Sequence, residues 1–139
     1  MKLKVLDIFA GIGGFSLGLE RTGGFETVAF CEIDPFCRRV LAKHWPGTPC
    51  HDDVETLTLA RGMADVVTAG FPCQDISFVG KGAGLAGKRS GLFWQVRRTL
   101  RVVRPRVALL ENVAALLNRG MGTVLGLSLI HISEPTRLR

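Results

Sequence analysis

The chain has 139 residues, 47% of them hydrophobic and 22% charged, which suits a single globular domain. No apolar run approaches the roughly 18 residues that a membrane-spanning helix needs, and the start of the chain lacks a signal-peptide pattern, so we expect a cytoplasmic protein. A net charge of +6 suits an anionic partner such as nucleic acid, but a solvated basic surface explains it equally well.

The first half of the chain alternates between strand and helix patterns. An apolar run at residues 4–9 leads into the glycine turn AGIGG at residues 10–14, after which apolar residues recur at helical spacing. Residues 27–30 predict a second strand. Asp34 and Pro35 then provide the cap and the first turn of a second helix.

The alternation continues less regularly up to residue 91. A weak third strand is predicted near residues 48–51, followed by a short helix capped by Asp52 or Asp53. Residues 65–69 predict a fourth strand. The segment 78–91 has too many glycines for a helix or strand, so we expect a mobile loop.

Five apolar residues at helical spacing mark a clear amphipathic helix that stops at Pro105: Leu92, Phe93, Val96, Leu100 and Val103. Residues 107–111 predict a fifth strand. Strands that alternate with helices predict an α/β fold with a doubly wound parallel sheet. The helix carries four arginines, which we expect on its solvated face: Arg97, Arg98, Arg101 and Arg104.

The end of the chain has a different character. A further helix is predicted from residue 114 to about residue 125, but residues 127–139 show no periodicity continuous with it. We interpret these last residues as a non-native read-through tail and exclude them from the fold.

Candidate functional groups follow each predicted strand. In a doubly wound sheet, ligands bind beyond the carboxyl ends of the strands, so these groups should meet at one rim. In strand order they are the glycines Gly11, Gly13 and Gly14, then Glu32, Asp53, Cys73 and Glu111.

The first three of these positions suit a cofactor that carries adenosine. The glycine turn lets a ligand approach the backbone, and Glu32 lies 18 residues beyond Gly14, near the spacing of an acidic residue that binds ribose hydroxyls. Asp53 would accept from the adenine amino group, although a helix cap alone also explains it. The turn lacks the full dinucleotide spacing and no lysine follows it, which favours S-adenosylmethionine over NAD or ATP.

Cys73 and Glu111 suit covalent catalysis. A thiolate is a strong nucleophile, and a carboxyl group shielded from water can donate a proton near neutrality. Together they suit methylation of carbon 5 of cytosine, which becomes nucleophilic only after a thiolate adds to carbon 6. That base must first be flipped out of the duplex. The four cysteines show no CxxC spacing, so we expect reduced thiols and no metal.

Six segments, in order, resemble the motifs of the cytosine-5 DNA methyltransferase family: DIFAGIGGFSLGLE, EID, DDV, GFPCQDIS, RSGLFWQ and ENV. The resemblance implies a Rossmann-like fold that uses S-adenosylmethionine and double-stranded DNA. It also implies that Cys73 is the nucleophile, that Pro72 shapes its turn, that Glu111 contacts nitrogen 3 of cytosine and that Asn112 holds the catalytic loop.

The resemblance also implies two sets of binding residues. Those around the cofactor are Phe9, Gly11, Ile12, Gly14, Glu32, Ile33, Asp53, Pro72 and Leu92. The segment 78–91 corresponds to the family's mobile lid, and the expected DNA contacts in or beside it are Gln74, Ser77, Lys81, Lys88 and Arg89.

The chain departs from the family pattern after ENV, since it lacks the later arginine motif, a target recognition segment and the C-terminal motif that completes the cofactor pocket. We therefore expect residues 1–126 to be the N-terminal part of a catalytic domain, incomplete at its C-terminal sheet edge and inactive alone. The intact protein is expected to be a monomer that serves bacterial or phage restriction-modification.

Two alternatives stay open. One branch of the same family methylates tRNA, but it usually has a proline where Phe71 stands. A non-catalytic module that binds S-adenosylmethionine would keep the glycine turn and Glu32, yet it would not need both Cys73 and Glu111.

Overall fold

The computed structural model describes residues 1–71 and 91–111. Nearly all of the predicted loop 78–91, the helix predicted from residue 114 and the division at residue 126 lie outside this part and stay predictions. Eight elements follow in chain order: β1 (Leu3–Ile8), α1 (Gly14–Arg21), β2 (Phe25–Cys31), α2 (Pro35–His44), β3 (Cys50–His51), β4 (Val66–Gly70), α3 (Leu92–Val103) and β5 (Val107–Glu111).

The five described strands form one parallel sheet in the order β3-β2-β1-β4-β5. The chain moves outward from β1 in one direction through β2 and β3, and then in the other through β4 and β5. The strand order therefore reverses between β1 and β4, which is the switch point where ligands bind in such sheets. The predicted doubly wound α/β fold is confirmed.

The two central strands are buried on both faces, as their nearly continuous apolar runs predict. Leu6 and Ile8 of β1 and Val67 of β4 are inaccessible to solvent, and α3 covers the sheet with Phe93 and Val96. Burial of each such side chain contributes about 1.5 to 3 kcal/mol. This core holds the carboxyl ends of the strands in fixed relative positions.

The helix boundaries follow the predicted signals. Asp34 caps α2, because its Oδ1 accepts hydrogen bonds from the backbone N–H groups of Phe36 at 2.7 Å and Cys37 at 3.1 Å. Helix α3 ends at Val103, just before Arg104, which has a left-handed backbone, and Pro105. The predicted start of α2 and the predicted stop of α3 before Pro105 are confirmed.

The prediction of a short helix after β3 is wrong. Residues 54–56 form a turn, and Asp53 accepts a hydrogen bond from the Glu55 N–H at 2.8 Å without capping a helix. The carbonyl oxygen of Val54 accepts a hydrogen bond from Nη2 of Arg98 at 2.6 Å. A side chain of α3, distant in sequence, therefore holds this turn in place. Arg98 is consequently half-buried, and Arg97 is half-buried too, so neither is solvated as predicted, whereas Arg101 and Arg104 are exposed.

The glycine turn before α1 packs closely against Trp45, the residue that follows α2. Gly13 has φ of 88°, and a Cβ atom there would lie 2.7 Å from two ring atoms of Trp45. The indole N–H of Trp45 donates to Oε2 of Glu20 at 2.8 Å, and its ring packs edge-on against Phe30 with centroids 5.1 Å apart. The indole is therefore not free to move away.

We predict that Gly13→Ala lowers the free energy of unfolding by about 2 to 4 kcal/mol, because it combines a strained left-handed backbone with a clash. Gly18→Ala is the matched control. It lies inside α1 with no atom within 4 Å of its Cβ position, so the same change should stabilise by about 0.5 to 1 kcal/mol. Urea denaturation of both variants measures the effects, and equal effects would contradict the packing argument.

Candidate functional site

The turn that follows β1 has an unusual backbone. Phe9 has φ of 55°, Gly11 of 56° and Gly13 of 88°. Glycine tolerates these values, but a bulky aromatic residue rarely adopts one, so the Phe9 backbone is strained. Such strain persists where surrounding contacts enforce it, and it clusters at ligand sites.

Glu32, the residue after β2, fixes this turn. Its Oε2 accepts a hydrogen bond from the Gly11 N–H at 2.7 Å, and its Oε1 accepts from the Asp34 N–H at 2.8 Å. The Ala10 N–H also donates to the carbonyl of Cys31 at 3.2 Å. Because a carboxylate oxygen has two lone pairs, each oxygen of Glu32 retains acceptor capacity for a ligand.

A cavity of about 600 Å³ opens beside the turn. It brings together three predicted cofactor residues, Phe9, Ile12 and Gly14, and the predicted acid Glu111 at the end of the edge strand β5. Its lining residues are Phe9, Ala10, Ile12, Gly14, Phe15, Gly18, Leu19, Gly70 and Glu111. The glycine turn and Glu111 thus belong to one cavity at the carboxyl ends of the strands.

Glu111 lies directly against the end of β4. Its strand register places it opposite Gly70, and a Cβ atom at residue 70 would lie 3.3 Å from Glu111 Oε2. The missing side chain at Gly70 therefore leaves room for the carboxylate. Glu111 is exposed, whereas the acid role inferred from the sequence needs a carboxyl group shielded from water.

The other described residues predicted to bind the cofactor lie at strand or helix ends but do not line this cavity. Gly11 belongs to the glycine turn and Glu32 follows β2. Ile33 also follows β2, with 77% of its surface exposed, Asp53 follows β3 and Leu92 begins α3. Ile12, which does line the cavity, is 60% exposed. Two large apolar side chains near the glycine turn are therefore accessible to a ligand.

Eight predicted site residues lie outside the described residues. They are the catalytic candidates Pro72, Cys73 and Asn112, and the DNA-contact candidates Gln74, Ser77, Lys81, Lys88 and Arg89.

The three described cysteines are free thiols that the environment keeps protonated. Burial raises the pKa of Cys31 to about 12, aided by neighbouring acidic groups. Burial also raises the pKa of Cys50, and burial with the nearby carboxylates of Asp34 and Glu32 raises that of Cys37. None of the three is therefore an activated nucleophile.

A buried polar group in the centre of the sheet was missed by the sequence reasoning. The carboxylate of Asp7 is inaccessible to solvent and accepts hydrogen bonds from the hydroxyls of Ser16 at 2.8 Å and Thr68 at 2.6 Å. Burial raises its pKa to about 6 in spite of these bonds, which lower it. The sequence signal that could have revealed this group is an aspartate inside the otherwise apolar run of the central strand.

Within residues 1–71 and 91–111, no cluster of three or more histidine, cysteine or acidic side chains could hold a metal ion. No helix in those same ranges is long and apolar enough to span a membrane.

Comparison with known proteins identifies the family. The family model described as C-5 cytosine-specific DNA methylase matches residues 3–132. The chain is 42% identical over 124 residues to the type II methyltransferase M2.BsuMI of Bacillus subtilis, covering 85% of this chain and 31% of that protein. It is 40% identical over 124 residues to M.Eco47II of Escherichia coli, covering 87% and 30%. The chain spans about a third of the length of these relatives.

A solved structure supports the fold. A putative DNA modification methyltransferase encoded within an E. coli prophage matches with a TM-score of 0.68 at 24% identity, covering 91% of this chain and 37% of that one. The parallel α/β topology agrees with the family match. The chain belongs to the C-5 cytosine-specific DNA methylase family.

Proposed function

We propose that the protein transfers a methyl group from S-adenosylmethionine to carbon 5 of a flipped-out cytosine in DNA, through a covalent adduct with Cys73. The observation that carries the proposal is the shared cavity, in which Glu111 of β5 meets the glycine turn that follows β1. A cofactor at the turn and a base held by Glu111 would then lie side by side.

The described residues fit such a cofactor. Glu32 retains acceptor capacity towards ribose hydroxyls, and the exposed side chains of Ile12 and Ile33 offer apolar contact to an adenine ring. The glycine turn lets a ligand approach the amino-terminal end of α1, where backbone N–H groups are free to donate. The bound cofactor supplies an electrophilic methyl group on a positively charged sulfur.

The chain's own groups supply the rest of the chemistry. The thiolate of Cys73 forms a bond to carbon 6 of cytosine, while Glu111 donates a proton or hydrogen bond to nitrogen 3. The electron pair that reaches carbon 5 would form the new bond to the methyl group, whose bond to the positively charged sulfur would break and leave a neutral thioether. A base then removes the proton from carbon 5, the bond between sulfur and carbon 6 breaks, and the ring is restored.

The sheet supports this division of roles. Glu111 lies opposite Gly70, the last residue of β4, and Cys73 follows Gly70 by three residues in the sequence, so both reactive groups are proposed to approach the base from neighbouring strands. Adjacent strands lie about 4.8 Å apart, a distance that one pyrimidine ring can bridge. In the proposal, the bound DNA shields the Glu111 carboxyl group from water.

The remaining thiols support Cys73 as the nucleophile. The chain has four cysteines, and raised pKa values keep Cys31, Cys37 and Cys50 protonated at neutral pH. Cys73 is the one cysteine that follows the strand next to Glu111.

Double-stranded DNA is the proposed substrate, and restriction-modification the proposed role, because the curated relatives are type II methyltransferases. Phe71 also argues against tRNA, because the branch that methylates tRNA usually has a proline at this position. It is buried and packs against Phe93 with ring centroids 6.3 Å apart, a contact that a proline at this position would lose. The complete protein is proposed to act as a monomer in the cytoplasm.

Methyl transfer to nucleic acid tests the proposed function. With labelled cofactor, the complete polypeptide that the gene encodes should methylate duplex DNA containing cytosine and leave tRNA unlabelled. Cys73→Ser should abolish the label, because the hydroxyl is too weak a nucleophile to add to carbon 6, whereas Cys37→Ser should keep it. Labelled tRNA would favour the RNA branch, and the absence of label from both would favour the non-catalytic module.

Cofactor binding tests the role of Glu32. Glu32→Gln should weaken binding of S-adenosylmethionine by more than about tenfold, because an amide can accept from one of the two backbone N–H groups but not from both. Asp65→Asn is the matched control, since Asp65 also accepts a backbone N–H bond, from Lys4 at 2.9 Å, but lies before β4 at the amino-terminal end of the strands. Equilibrium dialysis compares them. Equal weakening in both variants would contradict a cofactor role for Glu32.

A further inference from the structure

The carboxylate of Asp7 links three elements at the switch point of the sheet. Asp7 belongs to the central strand β1. Its Oδ2 accepts from the Ser16 hydroxyl in the first turn of α1, and its Oδ1 accepts from the Thr68 hydroxyl on β4. All three residues are inaccessible to solvent, so water competes for neither bond.

Burial of a carboxylate between apolar elements costs free energy of folding. The flanking residues Leu6, Ile8, Val67 and Ala69 are already fully buried and apolar. Burial of a carboxylate among them raises its pKa to about 6, and the field of Glu32 adds to the effect. An apolar side chain of similar size would hold the layers together at lower cost, whereas hydrogen bonds fix direction and distance.

The two hydrogen bonds that Asp7 accepts, which we call its two arms, lie close to the candidate site. Asp7 pairs with Thr68 in the parallel register of β1 and β4. Because side chains alternate along a strand, Thr68 and Gly70 face the same side of the sheet, and Gly70 lines the cavity. Ser16 lies two residues beyond Gly14, which opens α1 at the glycine turn.

We propose that Asp7 is a positioning residue that sets the distance between the cofactor turn and the strand leading to the nucleophile. One arm, through Ser16, holds the helix that begins at the glycine turn. The other arm, through Thr68, holds β4 five residues before Cys73. This inference rests on the proposed cytosine methylation, in which the methyl group must lie in line with carbon 5 of the base held by Cys73.

Two partial reactions separate positioning from folding. Exchange of the hydrogen on carbon 5 with solvent, measured as tritium release from labelled DNA without cofactor, needs addition to carbon 6 and its reversal. Methyl transfer needs in addition the correct placement of the cofactor. A misplacement of about 1 Å lowers the rate of such a transfer by about 100-fold.

The test uses the complete polypeptide and removes one arm at a time. Ser16→Ala and Thr68→Val should each lower methyl transfer by about 10- to 100-fold and change hydrogen exchange by less than about twofold. Thr68→Ser keeps the hydroxyl and should restore methyl transfer. Thr99→Val is the control, because Thr99 is equally buried but its hydroxyl donates only to Gln95 within α3.

Two results would overturn the inference alone: methyl transfer and exchange that fall in parallel, or variants as active as the unmodified protein. An unmodified protein that performs neither reaction would instead overturn the proposed function, and this inference with it.

Asp7→Asn gives an independent readout in the chain itself. The folded-state pKa of Asp7 lies above its unfolded value, so its contribution to stability is full below the unfolded pKa and is lost as pH rises through about 6. Relative to the unmodified chain, the urea midpoint of Asp7→Asn should therefore increase between about pH 4 and about pH 7 and level off above that. A difference between the two urea midpoints that does not change with pH would contradict the ionisation of a buried Asp7 carboxylate. It would also contradict the free-energy cost of that burial, on which the inference depends.

Discussion

The parallel pairing of β4 with β5 is the constraint on which the site depends. It places Glu111 opposite Gly70, and the absence of a side chain at residue 70 leaves room for the carboxylate at the end of the sheet. Parallel strands bring their carboxyl ends to one edge, so the glycine turn after β1 reaches the same cavity. Phe9 and Glu111, 102 positions apart in the sequence, thus line the same cavity.

The site is built from features that cost stability. Phe9 adopts a left-handed backbone, and Asp7 is a carboxyl group buried in the centre of the sheet. Hydrogen bonds from the Gly11 N–H to Glu32, and from two hydroxyls to Asp7, hold these features in place. Strain and buried charge that packing alone does not require are expected where geometry must be fixed for a reaction.

Much of the fold could be predicted from local signals. The apolar runs gave the central strands, and Asp34 with Pro35 gave the start of α2, because capping depends on neighbours in sequence. The turn after Asp53 could not be predicted in this way, since Arg98 of a distant helix fastens it.

The candidate site was predictable to a similar extent. Glu111 and the glycine turn were expected at one rim, and the described residues bring them into one cavity. The partners of Asp7 were not foreseen. Its bonds to Ser16 and Thr68 depend on which strand lies beside β1 and on how α1 crosses it, and neither is written in the local sequence.

The most direct test of covalent catalysis at this rim is to locate the adduct by peptide mapping. In DNA that contains 5-fluorocytosine, the fluorine cannot leave as the proton does, so the enzyme stays bound to carbon 6 after methyl transfer. The account predicts that, with cofactor present, the DNA is attached to the peptide that contains Cys73, and that Glu111→Gln slows its formation. Attachment at Cys31, Cys37 or Cys50, or the absence of any adduct from a protein that methylates DNA, would contradict it.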